Sequence, residues 1–125
     1  MRIKSRWNKR AKPQNLEDIG GAVGYISWQI AAEGILELEN QGYTTESNLH
    51  RLEIAKEILA FLLQVADRLT YDQLEQAERQ RFITAVAMHI ANTYASNKQD
   101  FLGQGDFKAE FIDFLNQSES HLKLI

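Results

Sequence analysis

Glu46, His50, Glu53 and Glu57 are side chains of metal-binding types standing four, three and four residues apart. On a helix this spacing places a carboxylate and an imidazole one turn apart on one face, where they could share a divalent cation. Helical di-metal sites, however, take their ligands from the bundle interior and use Glu-x-x-His pairs from two helices. The chain contains no Glu-x-x-His, and the four residues fall opposite a leucine stripe. The expectation is a solvated acidic face with no metal bound.

His89 lies among Phe82, Val86, Met88 and Ile90 and invites a ligand or catalytic reading. Its neighbours one helical turn away are Ala85, Val86, Asn92 and Thr93, none of which is a carboxylate that could orient an imidazole for proton transfer. A boundary histidine hydrogen-bonded to a hydroxyl or amide is expected instead. A small apolar ligand or metal held near His89 is the least favoured reading. No serine has triad partners nearby, and the absence of cysteine removes thiol chemistry, disulfides and zinc ribbons. "GGAVG" is no dinucleotide fingerprint, since no strand precedes it. "GQGD" could aim backbone N–H groups at an anion, but Asp106 would repel it. No catalytic residue, cofactor or enzyme activity is therefore expected.

Charge supplies the remaining lead. Arg2, Lys4, Arg6, Lys9, Arg10 and Lys12 give residues 1–12 six basic and no acidic side chains, whereas the rest carries eight basic and seventeen acidic ones. The chain reads as an acidic body with a flexible basic arm, residues 1–14. With Trp7 interleaved, these six cations could contact phosphates while the indole stacks on a base. Short charge runs are more often solvated tails, so nucleic-acid association through the arm is the less favoured alternative.

These residues must be positioned by helices, because no strand-type alternation occurs. A first helix is predicted from Leu16 to Gln41, with Asn15 as N-cap, Glu17 and Asp18 in the first turn and Gly42 as terminator. A second runs from about Ser47 to Leu69, with Leu52, Ala55, Leu59, Leu62, Ala66 and Leu69 on its apolar face. Thr70 to Gln73 matches a capping box, and Asp72 with Glu75 offers a second register. The third helix is predicted from Gln73 to Ser96, followed by a loop and a short fourth helix from Phe107 to Gln117. Residues 118–125 read as a frayed tail. The fold class is an all-α compact bundle of three long helices and one short C-terminal helix, a single domain over residues 15–117.

The first helix carries an unusual number of glycines. Gly20, Gly24, Ser27, Ala31 and Gly34 recur at steps of four, three, four and three, a heptad seam of small residues. Each interior glycine costs a helix about 1 kcal/mol relative to alanine. Close approach of another helix is the available return, supplied by a neighbour in the bundle or by a second copy. The helix is apolar over most of its circumference, which implies a central position or a covering partner. The chain as a whole is expected to be a soluble, cytoplasmic, non-catalytic interaction or regulatory module, self-associating as a homodimer, with an unknown protein partner. No membrane span is expected: the charge-free stretch from Ile19 to Ala32 is too short.

Overall fold

The computed structural model describes residues 15–122, with side chains through residue 117. Helices α1 (Leu16–Asn40), α2 (Asn48–Thr70), α3 (Gln76–Leu102) and α4 (Phe107–Leu122) make an all-α bundle, with no strand among the described residues. The basic segment 1–14, with Arg2, Lys4, Arg6, Trp7, Lys9, Arg10 and Lys12, lies outside the described residues. No described helix is long and apolar enough to cross a membrane.

Local chemistry sets the helix starts. The Asn15 side chain accepts from the Asp18 N–H at 2.7 Å, opening α1 where Glu17 and Asp18 meet the positive end of the helix dipole. Ser47 does the same for α2 by accepting from the His50 N–H at 3.1 Å. Between α2 and α3 the capping register differs from both predicted ones. Glu75 is the N-cap of α3, and the Glu78 carboxylate accepts its N–H at 3.2 Å. Thr70 instead ends α2, its hydroxyl donating back to the Ala66 and Asp67 carbonyls.

The other boundaries also move. α3 continues past Ser96 to Leu102 and stops where Gly103 takes a φ of +84°, a left-handed conformation that a side chain would strain. The stretch predicted as a loop is thus largely helical, and α4 runs five residues beyond Gln117.

Short connections make α1, α2 and α3 run up, down and up. Glu39 at the end of α1 meets Arg51 at the start of α2, and Asp67 at the end of α2 meets Arg79 at the start of α3. α2 and α3 each pack against the other three helices, α3 more extensively and so as the central one, whereas α1 does not pack against α4. Of the two alternatives for the apolar first helix, a central position or a covering partner, the central position belongs to α3. The core gathers Ala31 and Ile35 from α1, Leu52, Leu59 and Leu63 from α2, Phe82, Val86, Ile90 and Tyr94 from α3, and Phe111 and Leu115 from α4. Fully burying one such large side chain contributes about 1.5–3 kcal/mol.

Candidate functional site

The small-residue seam is filled from within the chain over its first half. A Cβ built on Gly20 would stand 2.6 Å from the Ala85 Cβ and 2.8 Å from the Phe82 carbonyl oxygen, and one on Gly24 would stand 2.8 Å from the His89 Cβ. Both are far inside van der Waals contact, so α3 occupies the space that the missing side chains leave. Gly20, Gly24, Ser27 and Ala31 are all buried. Ser27 satisfies its hydroxyl by donating to the Val23 carbonyl at 2.8 Å. The buried line then passes to Ile35 rather than Gly34. A Cβ on Gly34 would meet only the Ile58 Cδ1 of α2, at an ordinary 3.8 Å. Around Gly20 and Gly24 the seam is therefore a packing surface for α3.

His89 belongs to this contact. Its ring lies on the bare backbone of α1, with Nδ1 4.0 Å from the Cβ position of Gly21. The neighbouring Thr93 hydroxyl donates to the His89 backbone carbonyl at 3.1 Å. The residue fills space. On the same flank the Trp28 indole N–H donates to the Ile90 carbonyl at 3.2 Å, a second tie between α1 and α3.

Glu46, His50, Glu53 and Glu57 do not converge. The His50 Nδ1 accepts from the Glu46 backbone N–H at 3.1 Å, and Glu53 pairs with Lys56 at 3.2 Å. Among the described residues no three of His, Cys, Asp or Glu stand close enough to hold a metal ion. An apolar concavity of about 370 Å³ does occur, but away from His89. It lies where α1 ends and α2 begins, lined by Trp28, Ile35, Leu36, Leu52 and Phe101, with the Glu39–Arg51 pair at its rim.

The displaced pKa values belong to ties between helices. The Arg81 guanidinium grips Glu17 with two hydrogen bonds of 2.9 Å and lowers its carboxyl below the ordinary range. The Thr45 hydroxyl and then Arg51 lower Glu39 in the same way. Burial raises the Tyr94 phenol. For Lys98, burial acts to lower the ammonium pKa but is outweighed by hydrogen bonds to Glu110 and Tyr94, and the net direction is upward.

That last cluster escaped the reading of the sequence. Lys98 Nζ donates to both Glu110 oxygens at 3.0 and 2.9 Å and to the Tyr94 hydroxyl at 3.2 Å, pinning α4 to α3. The available signal was Tyr94 and Lys98 one turn apart, which is visible only once α3 is extended past Ser96.

Apolar side chains also remain outside. Tyr25, Ile26, Ile30 and Leu36 on α1 are each about half exposed, at 57, 50, 49 and 57%. On α2, Phe61 and Leu69 are 63 and 69% exposed. Isolated exposed apolar residues are normal on a protein surface. No known family model matches the chain, and no curated protein or solved structure shows significant similarity to it.

Proposed function

We propose that this chain is a cytoplasmic, non-catalytic helical module that works by protein–protein contact, self-association included, through the outer sides of α1 and α2. The observation that carries the reading is the set Tyr25, Ile26, Ile30 and Leu36, which cover the outside of α1 while its opposite side is already packed on α3. An amphipathic helix on the rim of a monomer ordinarily turns a charged face to water. This one offers four large apolar side chains there, with Gln29, Glu33 and Glu37 between them. Burying them under a partner removes roughly 100 Å² of apolar surface each from water, at about 25 cal/mol per Å². A non-catalytic role is further supported by the displaced ionisable groups, each of which is accounted for by burial or by a hydrogen bond that serves packing.

Affinity capture from native host cells, comparing the wild-type chain with an Ile26→Asp/Ile30→Asp variant, tests this reading. Both positions are exposed, so circular dichroism and thermal midpoint should barely change. The variant is expected to lose the proteins that the wild-type chain retains. An identical captured set from both chains overturns the assignment of this surface.

A further inference from the structure

Along the outward ridge of α2, Glu57, Phe61, Gln64 and Arg68 recur at steps of four, three and four, so they share one side of the helix. Glu57, Phe61 and Arg68 are exposed. Neither Glu57 nor Arg68 forms an ion pair with another described residue, although the other α2 charges Arg51, Glu53, Lys56 and Asp67 all do. The spacing is the same read in either direction, and reversal exchanges the acid with the base and the aromatic with the amide, so each residue faces its complement.

That is the requirement for an isologous contact, in which one patch must complement itself. Turning a second α2 antiparallel about a point midway between Leu62 and Leu63 sets Glu57 against the partner's Arg68, and Arg68 against the partner's Glu57. It also sets Phe61 against the partner's Gln64. A receptacle for the ring exists at this place. Phe61, Gln64, Val65 and Arg68 of α2, with Gln80 and Ile83 of α3, line an open groove of about 500 Å³. A parallel arrangement would instead place like charges opposite each other.

We infer that a second copy of this chain docks on the outer ridge of α2, antiparallel, with Phe61 of each copy seated in the groove of the other and two Glu57–Arg68 pairs closing the ends. This rests on the reading of the chain as a protein-contact module and names the partner for its α2 side. The strip is short. α2 spans roughly 35 Å at 1.5 Å per residue, so the buried area falls at the lower end of stable interfaces and the dimer is concentration-dependent.

The test is light scattering on the purified 125-residue chain. The wild-type mass should rise from 14.4 kDa towards twice that value between about 1 and 100 μM, the range expected of a small interface. Glu57→Arg alone and Arg68→Glu alone each place like charges in contact and should weaken association at least about tenfold, the size of a change expected for an interfacial charge clash. An equimolar mixture of the two variants restores both pairs and should recover the wild-type mass profile. Circular dichroism guards against unfolding, and both positions are exposed.

A wild-type chain that stays at one-chain mass throughout overturns the inference, as do single reversals that leave association intact, or a mixture that fails to recover. A persistent monomer that still loses captured host proteins on Ile26→Asp/Ile30→Asp would sink this inference alone and leave the broader function standing.

Discussion

At Gly20 and Gly24 two opposing effects meet. Alanine stabilises a helix interior by about 1 kcal/mol relative to glycine, yet at either position its Cβ would land at 2.6–2.8 Å from atoms of α3. The obstructing atoms are the Ala85 and His89 Cβ and a backbone carbonyl, none of which can swing away. Overpacking of this kind costs about 1–3 kcal/mol, so steric cost wins and Gly20→Ala and Gly24→Ala should both lower stability. At Gly34 nothing lies nearer than 3.8 Å, and Gly34→Ala should stabilise by up to about 1 kcal/mol. Urea denaturation of the three variants reads the signs directly, and a stabilised Gly24→Ala would mean that α1 and α3 are not in close contact. The heptad of small residues was legible in the sequence. What was not legible was the owner of the space, since Ala85 and His89 sit more than sixty residues away and no local pattern pairs them with glycine. Nor could spacing show that Ile35, rather than Gly34, continues the buried line.

Elements end where tertiary partners allow, and α3 illustrates this. Ser96 and Asn97 are poor interior helix residues, and two glycines follow within nine positions, so local preference favours termination near Ser96. The extra turns are held by Lys98, which reaches Glu110 across to α4 while its ammonium sits 5.4 and 5.2 Å from the centroids of the Tyr94 and Phe107 rings. The side chain of Lys98 is only 12% exposed, whereas Glu110 is 40% exposed and can turn to water if abandoned. Lys98→Met keeps the stem and removes the donor. It should cost about 1–2 kcal/mol, the value of a charge-assisted hydrogen bond against a partly solvated acceptor. The loss should be local. Amides of α4 and of α3 beyond Ser96 should exchange faster with solvent while those of α1 keep their protection, because α1 does not pack against α4. Uniform acceleration across all four helices would show that the cluster supports the whole fold rather than one element. The existence and order of the helices followed from apolar periodicity. The two misses have different causes: the extension depends on the long-range Lys98–Glu110 contact, whereas the capping register was a local ambiguity among several acids and hydroxyls near residues 70–78, settled by the Glu75–Glu78 box.

At the scale of the whole molecule, α1 is a peripheral helix clamped at both ends. Glu17 ties its first turn to Arg81 of α3, and Glu39 ties its last turn to Thr45 and to Arg51 of α2. In the folded chain both carboxyls have pKa values below the ordinary 4.5. A carboxyl whose folded pKa is depressed contributes stability that is fully present above the unfolded value, and this contribution disappears as pH falls through the folded value. Near neutrality the two clamps therefore act at full strength, and they fade below about pH 4.5, where the unfolded chain begins to take up protons first. Their exposure keeps each contribution small and open to screening by salt. A Glu17→Gln/Glu39→Gln variant should thus melt below the wild type at pH 7, and the gap between the two melting curves should close steadily towards pH 3. At pH 7 the gap should also narrow in high salt, since attraction between exposed charges is screened there. A gap that stayed constant across both series would show that the two glutamates hold α1 through shape and neutral hydrogen bonding. The close packing at Gly20 and Gly24 would then be the main attachment of α1 to α3.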